Sequence, residues 1–199
     1  MAGYIPWYLA GAETQHIGEI AGSAPVHRGS DLPMSIEFSD DLDVYRNPLD
    51  ALETIVSSNE WPFERNGDTE MAFAIGGGYS QYHLWFGWQE QAASLHLRCG
   101  YDFTVPDRQF RDICEVLARI NEDMGFGFFD ISTTEQVINF RYTVMAGTQS
   151  VEPAVLEHLV ETALGACEKF YPAFMLALWG GKSPTEAVEA AMLETVGEA

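Results

Sequence analysis

The side chains best suited to chemistry or recognition sit in two neighbouring stretches. These are Tyr82-His83-Leu84-Trp85-Phe86-Gly87-Trp88 and Ala93-Ser94-Leu95-His96-Leu97-Arg98-Cys99-Gly100-Tyr101-Asp102-Phe103. Both alternate between apolar and polar residues. Successive side chains of a strand point to opposite faces, so a period of two predicts a sheet buried on one side only. Tyr82, Leu84, Phe86 and Trp88 share the buried face with Leu95, Leu97, Cys99, Tyr101 and Phe103, while His83, Trp85, His96, Arg98 and Asp102 share the other. A four-residue loop, Gln89–Ala92, registers Trp88 opposite Ala93 and so predicts His83 opposite Arg98 and Trp85 opposite His96. His83 and His96 then become diagonal neighbours within ~8 Å. Two imidazoles with Asp102 nearby in sequence fall short of the three or four protein ligands that zinc takes. The pair reads as part of a polar or interface surface, and no metal or other cofactor is expected. Trp85 is the residue of most interest, because a large aromatic on a polar strand face needs something to cover it. Aromatics and arginine concentrate at interface hot spots, which makes His83, Trp85, His96, Arg98 and Arg141 the candidate protein-binding residues. Two ordinary explanations compete: cover by the C-terminal helix, or burial in a homodimer.

Other motifs reduce to structure. Gly76-Gly77-Gly78 leads through Tyr79-Ser80-Gln81 into another strand rather than a helix, so it reads as a turn using the freedom of glycine and not as a phosphate loop. Gly181-Lys182-Ser183 lacks the upstream glycine of a P-loop, and Ser183-Pro184-Thr185-Glu186 reads as a capping box. There is no G-x-S-x-G elbow and no HExxH. Carboxylate pairs such as Asp40-Asp41 and Glu122-Asp123 suit solvated turns and helix ends. No catalytic residue is named, and a non-enzymatic protein is expected.

Composition narrows the partners. The 199 residues fit one domain with an appended arm, and 47% are hydrophobic, enough for a core. A formal net charge of −20 repels polyphosphate and anionic lipid, which argues against nucleic acid and membrane surfaces. The three cysteines, Cys99, Cys114 and Cys167, make a poor disulfide framework and suit a reducing cytoplasm. All three are expected on apolar faces as buried small hydrophobes. No segment approaches the ~18 apolar residues of a membrane span, and Tyr4–Ala10 lacks the basic flank of a signal peptide.

Periodicity predicts the elements. Residues 1–45 show no sustained period and read as a flexible or loosely docked arm, with Met34 an alternative start; residues 46–199 form the folded domain. Asn47-Pro48 opens a helix that Trp61-Pro62 ends, and Asn66-Gly67 marks a hairpin. Pro106 starts a helix with Phe110, Ile113, Cys114, Leu117, Ile120 and Met124 on one face. Phe128–Ile131 and Ile138–Val144 are strands. Pro153 opens the longest helix, with a kink expected at Pro172 and a stop at Gly180-Gly181, and a last helix follows Ser183. The expected fold is α+β, an antiparallel sheet packed against helices in the order α-β-β-β-β-α-β-β-α-α.

The early helix running into Glu60-Trp61-Pro62-Phe63-Glu64-Arg65, the aromatic strand pair, and Phe174 through Trp179 with Gly180-Gly181-Lys182-Ser183-Pro184 and the Ala-rich last helix resemble the YbjN family of bacterial proteins over residues 48–195. The resemblance implies a fold similar to type III secretion chaperones, which often dimerise and bind extended segments of partner proteins. It implies a regulatory role and no active site. The expectation is a chaperone-like protein-binding module, homodimeric, whose acidic surface steers basic partners. The alternative is a small-molecule sensor or enzyme with a pocket between sheet and helices, recognisable by a polar cluster inside it. A third reading has residues 1–45 occupying the domain's own groove.

Overall fold

Asn47 begins the first helix as its chemistry dictates: its side-chain oxygen accepts the Leu49 N–H at 3.0 Å, and Pro48 takes the first helical position. The computed structural model describes residues 47–147 and 150–196. The expectations placed on residues 1–45 lie outside the described residues. The elements are α1 (Pro48–Ser58), β1 (Phe63–Asn66), β2 (Glu70–Gly76), β3 (Gln81–Gln89), β4 (Ser94–Tyr101), α2 (Phe110–Glu122), β5 (Phe128–Ile131), β6 (Ile138–Met145), α3 (Pro153–Leu178) and α4 (Pro184–Val196). The fold is α+β in the expected order. One antiparallel sheet runs β1-β2-β3-β4-β6-β5. No described helix is long and apolar enough to cross a membrane.

The register explains the division of labour between the two faces. One row across the sheet reads Phe63, Phe73, Leu84, Cys99, Phe140 and Phe129, apolar on every strand. Helices cover this side. α3 lies on β4 and β6, α1 packs on β3 and α3, α2 on β5 and α3, and α4 on α2 and α3. Leu52 and Val56 of α1, Ile113 and Leu117 of α2, Phe170 and Phe174 of α3, and Ala187 of α4 join one core with the sheet. Arg65 ties α1 to β1, with ion pairs to Glu53 at 2.5 Å and Asp50 at 2.7 Å. The Ser183 capping box forms at α4: Ser183 N–H donates to Glu186 Oε2 at 3.0 Å, and Glu186 N–H to Ser183 Oγ at 3.4 Å.

Four expectations change. The β3–β4 loop is Glu90–Ala93, not Gln89–Ala92, so Gln89 pairs with Ser94 and Trp88 with Leu95. A tight turn at Glu90–Ala92 closes with Ala93 N–H donating to Glu90 O at 3.0 Å, and Ala93 takes a left-handed backbone at φ 44°. The displacement is two residues, so every side chain keeps its face. Second, Asp107–Gln109 forms a short 3-10 turn, and α2 starts only at Phe110. Third, Cys114 is exposed. The buried stripe of α2 is Ile113, Val116, Leu117 and Ile120, and Cys114 lies ~100° around the helix from Ile113. Cys99 and Cys167 are buried as expected.

Finally, the glycine triplet turns for a different reason. Gly77 N–H donates to Ser80 O at 2.8 Å to close the turn, but none of the three glycines has positive φ. A Cβ on Gly77 would stand 2.0 Å from Glu168 Oε1 and 2.3 Å from Tyr82 Cε2, whereas one on Gly76 meets nothing within 4 Å. Close approach, not backbone freedom, requires glycine at 77. Gly77→Ala should therefore cost about 1–3 kcal/mol of stability through overpacking. Gly76→Ala should stay within about 0.5 kcal/mol. Urea melts of both compare them, and equal midpoints would refute the steric account.

Candidate functional site

Strand alternation sets His83, Trp85, His96, Arg98 and Arg141 on the face that the helices leave to the other side of the sheet. On that face a second row runs Glu64, Ala72, Trp85, Arg98, Arg141 and Phe128. Trp85, Arg98 and Arg141 are thus direct cross-strand neighbours. The Trp85 ring leans along its own strand over Gly87, where a Cβ would come within 2.3 Å of Cη2. This posture presents the ring to Arg98, whose guanidinium carbon sits 5.0 Å from the ring centroid, within cation–π range. Arg141 Nε faces Asp130 Oδ2 at 2.9 Å, an ion pair whose alignment misses hydrogen-bond geometry.

Two arginines side by side repel, and the site answers that repulsion locally. Asp130 balances Arg141, and the π face of Trp85 takes Arg98. Among the described residues no carboxylate lies within ion-pair distance of Arg98. Burial, then the Arg141 charge, lowers the Arg98 pKa, although a guanidinium stays charged. Burial raises the pKa of Asp130, and the two arginines oppose that shift.

His96 occupies the next row, between Gly87 and Thr143. Its Nε2 lies 3.0 Å from Ser94 Oγ and its Nδ1 3.1 Å from Thr143 Oγ1. A neutral imidazole satisfies both contacts, one nitrogen donating and the other accepting, since hydroxyls do either. Burial first, then Arg98 and Arg141, hold its pKa below the ordinary histidine range. His83 lies in the row on the other side of Trp85, opposite Ala74 and Gly100. It is buried, and burial lowers its pKa against the pull of Asp102.

The five candidates therefore lie in three successive rows of one face. Trp85 faces Arg98 instead of His96, and His83 faces Gly100 instead of Arg98. The diagonal contact between His83 and His96 does not form, because the two-residue displacement of the loop moves them two rows apart. The C-terminal helix does not explain Trp85, since α4 packs on α2 and α3. Two apolar residues on this face escaped the sequence reading: Phe128, 48% exposed, and Met145, 68% exposed. Adjacent Phe128 and Phe129 on one strand must point to opposite faces, and that was the available signal. Phe129 enters the core, while Asn121 anchors it from α2, accepting the Phe129 N–H at 2.8 Å and donating to Phe129 O at 2.9 Å. Phe128 is left on the outer side.

The chain belongs to the YbjN family: its model, described as "Putative bacterial sensory transduction regulator", matches residues 48–175. The final helix, included in the sequence resemblance, lies beyond those residues. The chain is also similar to the crystal structure of YbjN from E. coli, titled "a putative transcription regulator", at 12% identity and a TM-score of 0.44, covering 59% of this chain and 84% of that one. A search of curated proteins finds no match.

Gly87→Ala should dislodge the indole of Trp85. Near-ultraviolet circular dichroism should change while the far-ultraviolet spectrum holds; an unchanged near-ultraviolet spectrum would refute the packing of that ring. The His96 proton gives a second expectation. The unfolded chain binds it near pH 6.5, and the folded chain binds it only at lower pH. Stability from neutral His96 is therefore complete above about pH 6.5 and lost as pH falls from there toward the folded value. His96→Gln should flatten the decline in urea midpoint between about pH 6.5 and 5 relative to the parent. Parallel curves would exclude this linkage.

Proposed function

We propose that the protein is a regulatory, non-enzymatic binding module that recognises a segment of a partner protein on the outer face of its sheet. The observation that carries this reading is the row Trp85, Arg98, Arg141 and Phe128. Tryptophan and arginine are the residue types most enriched where truncation weakens association. Arg98 is partly buried against an indole and has no carboxylate within ion-pair distance among the described residues, so it favours an acidic side chain of the bound segment. Bidentate arginine–carboxylate contacts supply both energy and orientation. The exposed rings and thioether of Phe128 and Met145 offer apolar contact beside it. The charge balance sharpens the point: the chain has 10 Lys and Arg against 30 Asp and Glu, and two of those ten stand adjacent here.

The alternative, a sensor or enzyme with a pocket between sheet and helices, expects polar groups inside that space. The described residues weigh against it. The buried polar side chains are His83, Ser94 and Asn139, and all three belong to strand positions on the outer face. Between sheet and helices the packing is aliphatic and aromatic, with the hydroxyls of Tyr82 and Tyr101 and the thiols of Cys99 and Cys167 as exceptions. The cytoplasmic location belongs to the same reading.

Cross-linked capture from the source cells, followed by binding measurements with the purified partner, tests the proposal. Trp85→Asp and Arg98→Glu should each weaken the purified complex at least ~10-fold, the effect of about 1.4 kcal/mol, with circular dichroism unchanged. A partner bound equally by both variants would remove this face from recognition. A self-association abolished by Trp85→Asp, with no other protein captured, would give the face to a second copy and overturn the partner reading.

A further inference from the structure

Away from the arginine row, four aromatic side chains gather at the end of the sheet where the β2–β3 turn meets the C-terminal half of α3. Tyr79, from that turn, stacks on Tyr171 of α3 at 5.1 Å and 5° between planes. Phe103, just past β4, meets Tyr171 at 6.2 Å and 76°, and Trp179 at 5.5 Å and 78°. The cluster thus offers a stacked tyrosine pair with Phe103 set steeply to both Tyr171 and Trp179, over a floor that includes buried Tyr101, 5.1 Å from Phe103. It is not core. Tyr79 is 58% exposed and Trp179 57% exposed. Neither was singled out for a role by strand or helix periodicity, because both lie in turns.

The surroundings are negative. Asp102 and Glu168 both act on Tyr171, raising its pKa after burial has done so. Glu168 is held in place by the Gly78 N–H, which donates to Oε1 at 2.6 Å, and Asp102 by Ser80 Oγ, which donates to Oδ1 at 2.8 Å. Among the described residues no Lys or Arg forms an ion pair with either carboxylate, and Asp102 also acts on His83 of β3. Trp179 also caps α3, a 26-residue helix with no basic residue in its last turn. No cationic side chain within that last turn offsets the negative end of the helix; Lys182, three residues past the cap, acts on Glu186. Ring faces, two positioned carboxylates and a helix C-terminus all favour a cation.

We infer that Tyr79, Phe103, Tyr171 and Trp179, with Asp102 and Glu168, form a docking site for an arginine side chain carried by a basic polypeptide segment. Arginine is favoured over lysine because a planar guanidinium stacks on an aromatic face while its edge reaches carboxylates. The site shares no residue with the Trp85–Arg98–Arg141 row and does not rest on the role given to that row, so either can fail alone.

The test titrates acetyl-tri-arginine amide into the full chain, following the Trp179 indole resonance by NMR, with acetyl-tri-citrulline amide as the uncharged isostere. The arginine peptide should give a saturable Trp179 shift, and the citrulline peptide none. Trp179→Ala and Asp102→Asn should each weaken binding by about 5-fold or more, as loss of a cation–π or charged contact implies. Both positions are exposed, so the fold should persist by circular dichroism. Affinity unchanged in Trp179→Ala plus Tyr79→Ala would reduce the binding to general attraction by a −20 chain and overturn the site. Absence of a saturable shift would overturn it as well. Equal affinity for tetramethylammonium chloride would reassign the cluster to a free small cation and overturn the polypeptide reading.

Discussion

α3 is seated on the sheet through one close contact, and the other helices depend on where it sits. Cys167 Sγ lies 3.6 Å from Cys99 Sγ, and Tyr101 Oη donates to the Cys167 carbonyl at 2.9 Å. The small sulfurs let helix and strand approach, and the tyrosine satisfies a hydroxyl that would be costly to bury alone. β4 is a central strand, between β3 and β6. One and two turns further along α3, Phe170 and Phe174 reach Phe129 from β5 at 5.8 and 5.7 Å. α1, α2 and α4 then each pack against α3. A larger side chain at 99 or 167 would lift the helix and open the core along its length.

Using one face of the sheet so completely has an electrostatic consequence on the other. No helix among the described residues covers that face, so its side chains must be solvated, paired among themselves or covered. The Trp85–Arg98–Arg141–Asp130 group does the second through an indole face and an ion pair. His96 does it through two flanking hydroxyls. The result is a polar surface ordered by its own contacts, and a surface ordered in advance loses less entropy in any association.

Most of the fold was legible because its signals are local. Asn47, Ser183 and Glu186 announce helix starts through hydrogen bonds within four residues. The alternation of Tyr82 through Trp88 and Leu95 through Tyr101 assigned each side chain to its face. What was not legible depends on geometry that residue type does not report. Ala93 is a residue rarely left-handed, yet its backbone at φ 44° decides which residues of β3 and β4 meet. That one loop turned a proposed pair of histidines into a tryptophan–arginine pair. Cys114 was misplaced because a residue at the margin of a helical stripe is settled by neighbours on other elements. The candidate residues stay on one face despite these errors, because a displacement of two preserves the face. Its full extent did not, since Phe128 is distinguished from Phe129 only by which of the two the core accepts.

The unequal burial of the cysteines makes the protein's sulfur chemistry a measure of its folding. Contact with Cys167 and burial both hold the Cys99 thiol above its ordinary pKa, and a buried protonated thiol is a poor nucleophile. Only Cys114 is exposed. Toward an alkylating reagent the native chain therefore behaves as a monothiol and the unfolded chain as a trithiol. Reagent uptake beyond the first equivalent becomes a direct count of openings of the seam between α3 and β4.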